Sequence, residues 1–112
     1  MKPPAFAYRD PRSLEDALSV LAEDGDDVSI LSGGQSLMPL LNMRLARPAV
    51  LLDINRVPGL DRLQAVEDGG TAVVRAGALV RASGLERDAD VARLLPVVRT
   101  ALQHVGHPQI RA

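Results

Sequence analysis

The chain has 112 residues and a formal net charge of −1, and 46% of its residues are hydrophobic against 24% charged. This balance is typical of a soluble globular protein of about one small domain, and it excludes disordered and collagen-like classes. Acidic and basic residues are interspersed, so we expect no electrostatic field strong enough to attract nucleic acid or an anionic membrane. Cysteine is absent, which excludes disulfides, thiolate metal sites and an iron–sulfur cluster held by this chain.

The N-terminal segment Met1–Phe6 lacks the long apolar core of a signal peptide. No stretch of the sequence approaches the roughly 18 apolar residues of a membrane span. We therefore expect a cytoplasmic protein with no membrane span and no nucleic-acid partner. Redox work by this protein would need a bound cofactor.

The first half of the chain predicts alternating helices and strands. Apolar residues recur at helical spacing from Ser13 to Ala22, and Ser13 and Asp16 are spaced as in a capping box. Then follow, in order, a short buried strand, a short helix capped by Ser36, and a second buried strand: Val28–Leu31, Leu37–Leu45 and Ala49–Ile54. Short connections of this kind favour a small parallel sheet covered by helices.

The pattern changes after Pro58-Gly59. Two apolar runs, Leu63–Val66 and Ala72–Ala76, flank the turn signal Asp68-Gly69-Gly70 and predict a β-hairpin. Two helices are expected after the hairpin, with Gly106 and Pro108 ending the second: Arg81–Leu94 and Pro96–Val105.

We therefore predict an α/β fold, α+β overall, with two lobes. A small parallel α/β lobe occupies residues 1–55, and residues 56–112 are the start of an antiparallel lobe. The second lobe is expected to be incomplete, because the sequence stops at Gln109–Ala112 without a polar tail. The unfinished sheet edge expected after Gly77 would invite a partner strand or a homo-oligomer.

Two adjacent glycines stand between the first predicted strand and the short helix, in Ser32-Gly33-Gly34-Gln35-Ser36. Glycine adopts backbone angles closed to other residues, so successive amides can turn toward one point and attract an anion. The start of the helix would add donors, which favours a phosphate or pyrophosphate. The spacing is neither G-x-G-x-x-G nor a P-loop. From spacing alone, a turn with nothing bound is the commoner meaning of such a pattern, and it stays open.

Several separate stretches of the sequence match the motifs of one family, in the family's order: Pro4–Tyr8, Pro11–Ala17, Leu31–Leu45, Pro48, Leu52–Ile54, Ala76–Arg81 and Gly106–Arg111. Together they resemble the FAD-binding middle subunit of molybdenum hydroxylases, of the carbon monoxide dehydrogenase and xanthine dehydrogenase type. The match covers essentially the whole chain. The resemblance implies a PCMH-type FAD-binding fold, of which this chain is the truncated N-terminal part.

The resemblance also implies an oxidoreductase subunit whose glycine loop wraps the FAD pyrophosphate. It assigns to the cofactor Leu31, Ser32, Gly33, Gly34, Gln35, Ser36 and Leu37, and, at a turn near the flavin, Gly77 and Ala78. No catalytic side chain is implied, because the cofactor supplies the chemistry. Electrons would leave a large molybdenum-cofactor subunit, cross a small iron–sulfur subunit, reach FAD and pass to an acceptor.

Members of that family continue past the Ile110-Arg111 motif into a second glycine-rich loop, which clamps the same pyrophosphate. This sequence does not contain that loop. The alternative function is therefore a truncated, flavin-free interaction domain without activity of its own.

Two groups of residues have the composition of a metal site but not its spacing. His104 and His107 are three residues apart, yet Gly106 and Pro108 break the helix and no third ligand is near. The acidic run at residues 23–27 lacks the twelve-residue spacing of a calcium loop, so a solvated turn is expected. No metal site is predicted.

Asp53, at the end of the second predicted strand, has two open interpretations. It could bind a ribose, or it could bond to the following turn through Asn55 and Arg56. A triad of Ser36, His104 and Asp53 is not expected, because Ser36 does not lie in a G-x-S-x-G elbow. Four arginines could pair with a partner subunit or a phosphate, although solvation is commoner: Arg44, Arg47, Arg56 and Arg111.

Overall fold

The computed structural model describes residues 2–111, without the side chain of Arg111. The outer ends of the two predicted lobes, Met1 and Ala112, and the predicted pairing of Arg111 lie outside the described residues. The chain divides into two compact units, with the boundary between Pro58 and Gly59. In the part of the chain described, no helix has the length and apolar character needed to cross a bilayer.

The first unit contains a three-stranded parallel sheet. Its elements, in chain order, are β1 (Ala7–Arg9), α1 (Leu14–Asp24), a 3-10 turn (Gly25–Asp27), β2 (Val28–Leu31), α2 (Leu37–Asn42) and β3 (Val50–Asp53). The strand order is β1-β3-β2, and β3 pairs in parallel with both neighbours. The predicted parallel sheet is confirmed, but its first strand was not predicted, because three residues are too few to show a period.

The core of this unit lies on β3. Val50, Leu51 and Leu52 are all buried, although alternate residues of a strand face opposite sides of the sheet. Both faces of β3 are therefore covered, as is usual for parallel sheets. Ala17 of α1 and Leu41 of α2 are buried as well.

Two expectations for this unit need correction. Strand β2 has the predicted bounds, but it is an edge strand, so it is only partly buried and Ile30 is 49% exposed. Ser36 precedes α2, yet its side chain makes no capping bond. Its backbone is already helical, with φ −94° and ψ −40°, whereas a capping residue takes extended angles.

Helix α2 also ends earlier than predicted, at Asn42. The amide of Leu45 donates to the Leu40 carbonyl at 2.9 Å, and that of Arg44 donates to Leu41 at 3.0 Å. These two bonds are the Schellman pattern that closes a helix. Arg44 takes the left-handed position of this pattern, with φ +58°, so the chain leaves the helical path there.

The second unit begins with the predicted hairpin. Strands β4 (Leu63–Asp68) and β5 (Thr71–Ala76) are antiparallel, and Asp68 pairs with Thr71. Gly69 and Gly70 form the two-residue turn with φ of +58° and +82°, the positive values that a type I′ turn requires. The antiparallel part of the predicted fold is confirmed. Toward the turn, β4 is two residues longer than predicted and β5 is one residue longer.

Three helices follow, and a last helical turn: α3 (Ala82–Arg87), α4 (Ala89–Leu94), α5 (Pro96–Leu102) and α6 (Pro108–Arg111). The single helix predicted over 81–94 is wrong, because it breaks at Asp88. The Asp88 backbone is extended, and its carboxylate accepts from the amides of Asp90 and Val91 at 2.9 and 3.0 Å. Asp88 thus caps α4, as short acidic side chains do at helix starts. Pro108 opens α6 instead of ending a helix, because its fixed φ suits a first helical position.

Ser13→Ala is expected to lower the free energy of unfolding by about 1 kcal/mol. The Ser13 hydroxyl accepts from the Asp16 amide at 3.1 Å, the first of the two bonds of a capping box. Chemical denaturation measures the change. In the same helix, Ser19 donates only to the Glu15 carbonyl, so Ser19→Ala is the control and should be neutral or stabilising by about 0.5 kcal/mol. Equal losses in both variants would contradict the capping role.

Candidate functional site

The predicted phosphate loop connects β2 to α2. Leu31 is the last residue of β2, Leu37 is the first of α2, and residues 32–36 form the turn between them. The carbonyl of Gly34 accepts the first helical bond, from the Met38 amide at 2.9 Å. In an open parallel sheet, ligands bind at the carboxyl ends of the strands. The turn lies at that end of β2.

The loop presents unused backbone donors. Among the residues described, the amides from Gly33 to Leu37 donate no hydrogen bond to another protein group. Gly33, Gln35 and Ser36 are also exposed. Helix α2 has only six residues, so its dipole adds little and the loop amides carry the attraction for an anion. Gln35 and Ser36 add side-chain donors without a charge.

Gly34 has a backbone conformation that other residues disfavour, and its surroundings are crowded. Its φ is +78°, and an added Cβ would lie 3.1 Å from Leu31 Cδ1 and 3.2 Å from Met38 Cγ. Only glycine adopts such a φ readily. The positive φ at Gly34 sets the direction of the peptide groups on either side of it, which belong to the run of amides with no protein acceptor.

The neighbouring strand supports the base of the loop. The side-chain amide of Asn55 donates to the Ser32 carbonyl at 2.9 Å, and the backbone amide of Ile54 donates to the Leu31 carbonyl at 3.1 Å. The Asn55–Ser32 contact spans 23 residues. It was not predicted, because no local pattern indicates it.

Asp53 is bonded to the turn that follows it. Its Oδ1 accepts from the Asn55 backbone amide at 2.9 Å and from Asn55 Nδ2 at 2.7 Å. Its Oδ2 accepts from the Tyr8 hydroxyl at 2.5 Å. Of the two interpretations of Asp53, the structure therefore shows the bond to the turn, through Asn55. Arg56 instead pairs with Asp10 at 3.4 Å.

The bond between Tyr8 and Asp53 changes how both groups titrate. Partial burial alone would raise the pKa of Asp53, but hydrogen bonds from Tyr8 and Asn55, with the charge of Arg56, outweigh it and lower that pKa below 3.8. The hydrogen bond to Asp53 is also the main reason why the pKa of Tyr8 lies above its ordinary value of 10.0.

The stability from this pair is therefore expected to depend on pH at both extremes. A lowered folded-state pKa at Asp53 contributes stability above pH 3.8, which is lost as pH falls through the folded pKa. A raised folded-state pKa at Tyr8 contributes stability below pH 10.0, which is lost as pH rises through the folded pKa. Melting curves of the wild type and Tyr8→Phe across pH measure both. A melting-point difference that does not change with pH at either end would contradict the pairing.

Gly77 and Ala78 lie in the second unit, directly after β5. Packing within the second unit is enough to require glycine at position 77, because an added Cβ would lie 2.0 Å from the Leu60 carbonyl oxygen. Its amide donates to the Arg62 carbonyl at 2.9 Å. Ala78 is exposed. The glycine loop belongs to the first unit, so a flavin site shared by the two stays a prediction.

Among the remaining candidates, His107, Arg44 and Arg47 have partners within the protein. His107 Nδ1 lies 2.8 Å from Gln109 Oε1, and within the described residues no group of three metal-ligating side chains is present. The acidic run at 23–27 is the exposed end of α1 and the 3-10 turn. Arg44 and Arg47 donate to backbone carbonyls, of Lys2 at 3.2 Å and of Arg44 at 3.1 Å.

In α/β proteins, a glycine turn at the carboxyl end of a parallel strand is a common place for a phosphate group to bind. Residues 4–112 match the model of a protein family described as the FAD binding domain in molybdopterin dehydrogenase. The chain belongs to this family, and FAD is its cofactor. The loop offers backbone amides without a protein acceptor and the uncharged donors of Gln35 and Ser36, which are groups that a pyrophosphate accepts from.

Individual relatives agree with this assignment. The chain is 45% identical to the 6-hydroxypseudooxynicotine dehydrogenase complex subunit alpha of Paenarthrobacter nicotinovorans, covering 99% of this chain and 36% of that protein. It is 37% identical to the carbon monoxide dehydrogenase medium chain of Hydrogenophaga pseudoflava, covering 99% of this chain and 37% of the relative. The chain thus spans little more than a third of the length of these relatives.

Solved structures show the same fold. The structure of quinoline 2-oxidoreductase from Pseudomonas putida 86 matches with a TM-score of 0.85 and 40% identity, over 99% of this chain and 37% of that one. Reconstituted CO dehydrogenase from Oligotropha carboxidovorans matches with a TM-score of 0.86 and 34% identity, over the same shares.

Proposed function

We propose that this chain is the FAD-binding portion of the medium subunit of a molybdenum hydroxylase, and that its glycine loop holds the FAD pyrophosphate. The observation that carries the proposal is the run of amides from Gly33 to Leu37, which have no acceptor among the described residues and include a glycine with a φ of +78°. Residues 1–55 and 56–112 are then two lobes of one FAD-binding domain.

Within this proposal, each predicted residue has a defined part. The amides of Gly33 and Gly34 donate to phosphate oxygens, and Gln35 and Ser36 add uncharged donors. Leu31 and Leu37 border the loop, while Ser32 begins it. Gly77 and Ala78 form the turn proposed to lie near the flavin.

The chemistry belongs to the cofactor, which accepts and passes on electrons when it is bound. The side chains of this protein bind and orient FAD, and none acts as a nucleophile, acid or base. The proposed partners are a small iron–sulfur subunit and a large molybdenum-cofactor subunit, and the names of the relatives as a medium chain and a complex subunit support this. A cytoplasmic location and a homo-oligomer formed through a sheet edge stay predictions.

Titration of the purified chain with FAD tests the proposal, with flavin fluorescence and the melting temperature followed together. The titration is repeated with an added peptide that spans the family's second glycine-rich loop. Saturable binding with a raised melting point in either condition is expected, because a ligand that binds only the folded state stabilises it. Absence of binding in both conditions would refute the proposal and favour the flavin-free interaction domain.

A further inference from the structure

The base of the phosphate loop is held by a side chain from the turn after β3. We propose that Asn55, oriented by Asp53, is a positioning residue that aims the first amide of the loop at the phosphate. This inference rests on the proposed function of the loop. Neither Asn55 nor Asp53 contacts the cofactor in this arrangement, and both act through the backbone of Ser32.

The orientation of the Asn55 side chain is determined by its partners. Its Nδ2 lies 2.9 Å from the Ser32 carbonyl oxygen and 2.7 Å from Asp53 Oδ1. Both partners are acceptors only, so the NH₂ end must face them and the reverse orientation would place an oxygen against two oxygens. The Asp53 carboxylate therefore selects the rotamer that reaches Ser32.

Holding the Ser32 carbonyl also orients the Gly33 amide, because the two groups belong to one planar peptide unit. In a trans peptide the C=O and N–H bonds point in opposite directions. A carbonyl directed at Asn55 therefore turns the Gly33 N–H away from Asn55 and out of the turn. This is the first in the run of amides that donate to no protein group among the described residues.

The anchor is linked by hydrogen bonds to every strand of the sheet. Asp53 ends β3, whose Leu52 is fully buried, and Tyr8 of β1 donates to Asp53. Ser32 follows β2. The chain Tyr8–Asp53–Asn55–Ser32 thus joins the carboxyl ends of the strands in the sheet order β1-β3-β2.

Asn55→Ala is the test, read by ¹⁵N relaxation of the loop amides without FAD. The backbone order parameters of Gly33 and Gly34 are expected to fall from the rigid range near 0.85 to below about 0.6. The FAD dissociation constant is expected to rise about tenfold, the effect of about 1.4 kcal/mol. Asp10→Asn is the control, because Asp10 is a carboxylate paired with Arg56 near the end of the neighbouring strand, and it should change neither quantity.

Tyr8 reports whether the variant is folded. It is the only tyrosine and tryptophan is absent, so its ultraviolet titration is unambiguous. In Asn55→Ala it should still titrate above 10.0, since its bond to Asp53 remains. If this signal is lost, Asp53→Asn replaces Asn55→Ala and is judged by the same order parameters, with its fold checked by the melting curve because Tyr8 no longer faces a carboxylate.

Order parameters that stay unchanged in the folded variant would overturn the positioning role, whether or not FAD binds. Failure of the wild type to bind FAD would instead refute the proposed function, and the relaxation measurement would still decide the role of Asn55.

Discussion

Gly77→Ala is expected to destabilise the protein by about 3 kcal/mol, at the upper end for an overpacked site. The new Cβ would lie 2.0 Å from the Leu60 carbonyl oxygen and 2.6 Å from its carbon. Both are backbone atoms, so no rotamer change relieves the overlap. The backbone itself must move, and it carries the bonds from Gly77 to Arg62 and from Leu79 to Leu60.

Thermal unfolding measures this loss, and a fall of roughly 4–8 °C for each kcal/mol is expected for a chain of this size. Gly84→Ala is the matched control. Gly84 lies within α3, and an added Cβ meets nothing within 4 Å. That change should stabilise the helix by about 0.5–1 kcal/mol. A Gly77→Ala variant as stable as the wild type would show that the close approach to Leu60 is not needed.

Gly34→Val is expected to abolish most FAD binding. A β-branched residue at φ +78° is strained by about 1–2 kcal/mol. Its side chain also crowds Leu31 and Met38. To relieve the strained φ and the crowding, the neighbouring peptide groups are expected to rotate, and their amides then point away from the phosphate. Loss of two charge-assisted hydrogen bonds of about 1.5 kcal/mol each weakens the affinity about 100-fold.

The control for Gly34→Val separates lost binding from lost stability. Gly25 ends α1 with φ +55°, and an added Cβ meets nothing within 4 Å. Gly25→Ala should therefore introduce backbone strain in the same unit and leave FAD affinity unchanged. Flavin fluorescence titration of both variants, with melting curves, compares them. If both lose affinity equally, the loop is not the binding site.

Local sequence patterns determined several features of this protein. Ser13 caps α1 because a hydroxyl at that position reaches an amide of the same turn. Asp68-Gly69-Gly70 closes the hairpin because both glycines accept positive φ. The turn from Leu31 to Leu37 follows from adjacent glycines placed between a strand and a helix. In each case, the interacting groups lie within a few residues, so the pattern contains all the partners.

Tertiary structure decided the rest. Strand β1 forms only because β3 offers it an edge, and Ile30 is exposed because β2 is the other edge. The need for glycine at position 77 comes from the carbonyl of Leu60, 17 residues away along the chain. Tyr8 meets Asp53 over 45 residues, and Asn55 meets Ser32 over 23. These contacts depend on which strands become neighbours, which is settled by burial of the whole sheet and not by any single segment.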